Sequence, residues 1–235
     1  MLDSPAMTRA SFALTLALAG IVGGCGGAPS IPDSARTTVV SLEHVDSADR
    51  GLHLAKALAH EDGVYKAHFD RRRAELTVIA APSIDVMASA RRLSASDAFG
   101  LVLGAGRGTY IAWPAPPPVG DIQVVVTQGG EVVPELLPVL APGKVTIVDF
   151  SAVWCAPCKR LDEHMNAVAA SQADVAYRKL DVGDWDSPVA KRYLHAVPYL
   201  PYVIVFDRKG TESDHISGFD LERLDAAIVH ARGGS

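Results

Sequence analysis

Residues 145–159 read VTIVDFSAVWCAPCK, and this stretch decides the fold. Val145 to Phe150 is an apolar run rich in β-branched residues, fit for a buried central strand. Cys155-Ala156-Pro157-Cys158 then opens a segment whose apolar residues Leu161, Met165, Val168 and Ala169 recur at helical spacing. A strand that feeds two cysteines at the start of a helix carries a mechanism. The first cysteine stands where unpaired backbone N–H groups and the helix dipole favour negative charge. Its thiolate therefore forms near neutral pH and is a nucleophile. Two intervening residues let Cys158 reach back and resolve a mixed disulfide. Pro157 suits the first helical turn, where its missing N–H costs little. A zinc half-site is the competing use of such a pair, but zinc takes four ligands and no second Cys-x-x-Cys exists in the chain.

Around this stretch the pattern is that of an α/β unit over residues 120–235. Ile122 to Val126 reads as a strand, and Glu131 to Leu140 as a helix restricted by Pro134 and Pro138. Val175 to Leu180 is a further strand and Ser187 to Leu194 a short helix. Tyr202 to Phe206 and His215 to Phe219 form a hairpin around Lys209-Gly210, and a last helix runs from Leu221 to Ala231.

Val148-Asp149-Phe150 through Trp154-Cys155-Ala156-Pro157-Cys158-Lys159 resembles the thioredoxin family closely. The resemblance implies a thioredoxin fold and a thiol-disulfide oxidoreductase that needs no prosthetic group and no metal. It implies that Cys155 attacks and Cys158 resolves, with Trp154 shielding the pair and Ala156 and Pro157 tuning it. Asp149 matches the family's buried aspartate, which relays the proton of the resolving cysteine, and Lys179 matches the lysine paired with it. A buried carboxylate beside a thiol is expected to have a raised pKa. Pro201 matches the cis-proline facing the disulfide, which makes Leu200 present its backbone to a substrate peptide. Pro198 is a rival, because Val197 to Pro201 is longer than the family's loop, and Tyr202 stands where the family has threonine. Gly210 and Gly218-Phe219 resemble the periplasmic C-terminal domain of the transmembrane disulfide reductase as much as thioredoxin itself. His164 and His195 are expected to play no catalytic part.

Residues 37–112 form a second, smaller unit. Strands at Thr37–Glu43, Val64–Asp70, Glu75–Ala81 and Gly100–Leu103, with helices at Ser47–His60 and Ser83–Leu93, give the β-α-β-β-α-β order of an α+β ferredoxin-like domain. Ser47 or Asp46 is the candidate cap of the first helix. Leu54, Ala57, Leu58 and Gly63-Val64 resemble the heavy-metal-associated domain of copper chaperones. Counting back from Gly63-Val64, that family's two metal cysteines fall at Ser47 and Arg50. Soft metals need thiolate or thioether ligands, so the metal site is expected to be absent. Trp113 to Val119, with four prolines, is expected to be a semi-rigid linker.

The N-terminus reads as an address. Ser11 to Gly24 is an apolar run too short to span a membrane but suited to a secretory signal over residues 1–24. Val22-Gly23-Gly24-Cys25 resembles the bacterial lipobox, which implies that Cys25 is lipid-modified and heads the mature chain; an ordinary signal peptide is the alternative. Acylation on both sulfur and amine gives stable anchoring. Gly26, in place of an inner-membrane retention aspartate, favours the outer membrane over the inner. Residues 25–36 then form a tether.

Composition bounds the rest. The net charge of -5 argues against nucleic acid, which requires a basic face. Three cysteines are too few for a disulfide-stapled framework. The expected protein is a periplasm-facing membrane lipoprotein acting on protein disulfides or dithiols, such as apocytochrome cysteines or copper-site thiols. Reductase is favoured because Ala156-Pro157 is nearer thioredoxin's Gly-Pro, and a reductant in that compartment needs a membrane electron donor. A copper-binding or copper-delivery module using Cys155 and Cys158, and a non-catalytic adaptor on a thioredoxin scaffold, are the readings from other classes.

Overall fold

The computed structural model describes residues 31–117 and 119–233. The expected signal segment and residues 25–30 of the tether, Cys25 among them, lie outside the described residues. From Asp33 onward the chain forms one unit built on two sheets.

The first sheet follows the expected order: β1 (Arg36–Glu43), α1 (Ala48–Leu58), β2 (Val64–Asp70), β3 (Glu75–Ala80), α2 (Val86–Leu93) and β4 (Gly100–Leu103). Its strands lie in the order β2-β3-β1-β4 and pair antiparallel throughout, which is the ferredoxin-like arrangement. Alternation supplies the inner face, with Val40 and Leu42 of β1 and Leu76 and Val78 of β3 fully buried. α1 answers with Gly51, Leu54, Ala55 and Leu58, buried at helical spacing. Gly63, at φ +83°, turns the chain from α1 into β2. Neither candidate caps α1 with its side chain: Ser47 is the N-cap residue, but its hydroxyl donates to Asp46 Oδ1 at 3.3 Å. α2 starts later than expected, because Asp85 accepts from the Ala88 N–H and fixes the helix start at Val86.

The second sheet contains β5 (Asp121–Val126), β6 (Val145–Ser151), β7 (Val175–Asp181), β8 (Tyr202–Phe206) and β9 (Glu212–Ser217). Its helices are α3 (Ala156–Ser171), α4 (Pro188–Tyr193) and α5 (Leu221–Gly233). The strand order is β5-β7-β6-β8-β9, with β5, β7 and β6 parallel and β8 and β9 antiparallel to their neighbours. β6 is central and buried at every position, as a parallel strand covered on both faces must be. Val145 and Ile147 pack with Leu161 and Met165 of α3 and Leu224 and Ile228 of α5. Val148 and Phe150 point to the opposite face. The same alternation sends Asp149 to the α3 side.

Two expectations require correction. Glu131–Leu140 is not a helix; its one helical piece is a 3₁₀ turn at Leu137–Val139. Pro134 and Pro138 remove donors that a helix would need, and Pro134 disfavours the α region for Val133. The second hairpin strand is Glu212–Ser217 rather than His215–Phe219, ending before Gly218 at φ +88°. Trp113, at the start of the proline stretch, packs on a core cluster that runs from Leu42 and Phe69 through Phe150 and Trp154, so the two sheets share a core.

Gly51 is the tight point of α1. A Cβ there meets ring atoms of buried Phe69 at 2.2 to 2.5 Å. Alanine gains about 1 kcal/mol of helix propensity over glycine, but overpacking costs about 1–3 kcal/mol. The clash lies so far inside contact distance that overpacking wins. Gly51→Ala is expected to move the denaturant unfolding midpoint down; an unchanged or higher midpoint contradicts the packing described.

Candidate functional site

β6 ends beneath the start of α3, and a turn closed by Cys155 N–H donating to Ala152 O at 2.9 Å links them. Cys155 is the N-cap residue of α3, with extended backbone at φ -94° and ψ 103°. Its Sγ accepts from the Cys158 N–H at 3.2 Å, so the sulfur occupies the place a capping oxygen takes in other helices. Cys155 and Cys158 form a disulfide with Cα atoms 5.3 Å apart. Cys158 is fully buried, and Cys155 retains 5% of its surface. Ala156 and Pro157 form the first turn, where Pro157 has no N–H to leave unpaired. The Trp154 indole N–H donates to Gly183 O at 2.7 Å and holds the ring beside the pair. Leu200-Pro201 is cis, the one such bond among the described residues, so Pro201 rather than Pro198 carries it. Leu200 and Cys155 line the same cleft.

Between α3 and strands β6 and β7 lies a buried polar network. The Tyr177 hydroxyl donates to Asp149 Oδ2 at 2.7 Å and lies 3.3 Å from Asp162 Oδ1. Lys179 Nζ stands 2.5 Å from Asp162 Oδ1, and Asn166 Nδ2 donates to Asp162 Oδ2 at 3.1 Å. Lys179 therefore pairs with Asp162, and the expected Lys179–Asp149 ion pair is corrected. Asp149 and Lys179 stand opposite each other on β6 and β7, but Asp162 projects from α3 and takes the ammonium. Lys179 also lies 5.0 Å from the Trp113 ring centroid. Burial pushes the Asp149 carboxyl up to about 7; the Tyr177 hydroxyl opposes this and the Asp162 charge adds to it. Burial and the two carboxylates hold the Tyr177 hydroxyl well above its ordinary range. Asp149 Oδ1 is buried without a hydrogen-bond partner.

A helix N-terminus holding a dithiol pair, a neighbouring cis-proline and a buried carboxyl that titrates near neutrality can exchange thiols for disulfides. Residues 138–230 match the family model described as Thioredoxin. Horse (Equus caballus) thioredoxin is 32% identical over 85 residues, which are 36% of this chain and 77% of the relative. Sheep (Ovis aries) thioredoxin is 31% identical over 85 residues, with the same shares. The C-terminal half of this chain belongs to the thioredoxin family. It is a thiol-disulfide oxidoreductase. Spinach chloroplast thioredoxin f in its long form is a solved relative in shape, with a TM-score of 0.40, 23% identity, and coverage of 49% of this chain and 89% of that one.

Within the thioredoxin region, Trp154, Cys155, Ala156, Pro157 and Leu200 meet at one cleft, with Pro201 next to Leu200. Asp149 and Lys179 lie in the buried network instead. His164 stands 2.8 Å from Asp225 on the surface. In the α+β unit, Arg50 pairs with Asp46 and Asp97. Sequence reasoning missed Tyr177 and Asp162. Their signals were available: Asp162 is one helical turn after Cys158, and Tyr177 is two residues before Lys179 on the same face. It also missed Ala48, Asp49, Leu52 and Arg71, which line the cleft from the first sheet's unit.

Asp149 makes the stability of the oxidised protein pH-dependent. Its folded value of about 7 lies above the ordinary 3.8, so the folded state holds the proton more tightly. That contribution is complete below the ordinary value and is lost as pH rises through about 7. In denaturant unfolding from acid to alkaline pH, wild type is expected to lose stability relative to Asp149→Asn. The expected loss exceeds one pKa unit's worth, about 1.4 kcal/mol. Parallel curves for the two proteins would contradict the raised carboxyl.

Proposed function

We propose that this thioredoxin-family oxidoreductase is a disulfide reductase acting on exported proteins, anchored to the membrane by lipid on Cys25. The observation that carries the exchange chemistry is the Cys155–Cys158 pair at the N-terminus of α3. In the reduced enzyme, the Cys155 thiolate attacks one sulfur of a substrate disulfide. The substrate S–S bond breaks, a mixed disulfide forms, and the other substrate sulfur leaves as thiolate, to be protonated by solvent. The Cys158 thiol then gives its proton to the Asp149 carboxylate, and its sulfur attacks Cys155 Sγ. The second substrate sulfur leaves, and the Cys155–Cys158 disulfide closes. Two electrons pass from the enzyme dithiol to the substrate disulfide, so each cycle needs a dithiol donor, here one held in the membrane.

Asp149 suits the proton step because its raised value keeps acid and base forms both accessible near neutrality. Tyr177 is a positioning residue that orients Asp149 Oδ2, and Lys179 pairs with Asp162 while its charge also draws the Asp149 carboxyl down. Pro201, in its cis form, follows Leu200, which lines the cleft with Cys155 and is suited to present its backbone to a substrate peptide. Anchoring rests on Val22-Gly23-Gly24-Cys25, and the periplasmic side follows from the signal that precedes it. The α+β unit, with Ser47 and Arg50 where copper chaperones carry cysteines, serves as a non-metal docking element.

The direction of electron flow follows the reduction potential. Equilibration of the pair with dithiothreitol or glutathione buffers is expected to give a value near thioredoxin's, about -270 mV. A value near DsbA's, about -120 mV, would make the protein a dithiol oxidant and overturn the reductase reading.

A further inference from the structure

The first sheet's unit does not merely precede the exchange site; it is bonded to both sides of it. The Ala48 N–H, at the first residue of α1, donates to Trp154 O at 2.9 Å. On the other side of the cysteines, Lys159 Nζ donates to Asp46 O at 2.8 Å and Ile111 O at 3.3 Å. The Arg71 guanidinium, from the turn after β2, lies 5.3 Å from the Trp154 ring centroid. These contacts bring the start of α1 against the cysteine turn. The result is a cleft of roughly 340 Å³, with Asp49, Leu52 and Arg71 on one wall facing Trp185, Tyr199 and Leu200 on the other. Cys155 lines this cleft with 5% of its surface exposed.

We propose that Asp49, Leu52 and Arg71 are specificity-determining residues that restrict the reductant's partners to open-chain cysteine segments. The argument rests on the oxidoreductase reading of Cys155. Attack requires a substrate sulfur to come in line with Cys155 Sγ, and a sulfur on a broad folded surface must bring its neighbours with it. A second wall excludes those neighbours. The volume lies at the small end of ligand sites, roughly 300–1,000 Å³, which suits a short extended segment. Its apolar contacts are available on both walls, since Leu52 is 38% exposed and Tyr199 68%. A wall that is fixed before the substrate arrives excludes wrong partners without an ordering cost at each encounter.

The test compares two substrates with the full chain from residue 26. One is the disulfide-linked dimer of a short cysteine peptide; the other is insulin, whose disulfides belong to a folded protein. Dithiothreitol supplies the electron pair and the two protons in both assays. Leu52→Ala and Arg71→Ala remove wall, and Leu52→Trp adds to it; Leu52 is exposed enough that its variants fold. The readout is kcat/KM for insulin divided by kcat/KM for the peptide. The ratio is expected to rise at least threefold in Leu52→Ala and Arg71→Ala. Leu52→Trp is expected to cut peptide turnover at least threefold. Ratios less than threefold above wild type in Leu52→Ala and Arg71→Ala, with peptide turnover cut less than threefold in Leu52→Trp, would overturn the wall while leaving the oxidoreductase reading intact. If wild type turned over neither substrate, that reading would fall and the proposal with it.

Discussion

The exchange chemistry depends on a single placement: a fully buried strand ends just where a helix begins, and the cap of that helix is a sulfur. β6 is held between β7 and β8, so its end cannot drift. Cys155 inherits that rigidity. Its Sγ receives the Cys158 N–H that a serine or aspartate oxygen receives in an ordinary cap. The same donor and helix dipole that stabilise a capping oxygen stabilise a thiolate once the disulfide opens. Nucleophilicity is thus a by-product of helix capping rather than of a separate activating base.

The second constraint is electrostatic. Two carboxylates, a phenol and an ammonium share the space under α3, each nearly or fully buried. An unpaired charge there would be costly, which is why Lys179 sits on Asp162. Asp149 has no ion pair of its own among the described residues and accepts from the Tyr177 hydroxyl. It is the group left to change protonation, and its value of about 7 follows first from burial, with the Asp162 charge adding to it. Tyr177 connects the settled pair to the unsettled carboxyl, so the network keeps one carboxylate charged and the other near balance.

The legible parts were local. The cysteine spacing, the apolar run before it and the helical period after it are written within twenty-five residues, and the resemblance to thioredoxin singled out Asp149. The first sheet's strands were also plain, because alternation and the Gly63 and Arg71–Arg73 turns punctuate them. What the sequence withheld was set by tertiary contact. Lys179 faces Asp149 across the sheet, and only the seating of α3 reveals that Asp162 takes it. Residues 131–140 carry apolar content at suitable spacing, yet two prolines defeat the helix. The hydrogen bond from Ala48 to Trp154 joins residues over a hundred apart, and no periodicity encodes it. The cleft wall was therefore invisible until both sheets were in view.

The central claim is that capping geometry makes Cys155 the nucleophile of the pair. The most direct measurement is the pH dependence of alkylation of the reduced protein, with the modified cysteine located by peptide mapping. The account predicts that Cys155 alone is labelled under native conditions, with a midpoint well below the about 8.5 of a free thiol, while Cys158 stays protected. Labelling of both cysteines at the rate of ordinary thiols, or of Cys158 first, would contradict it.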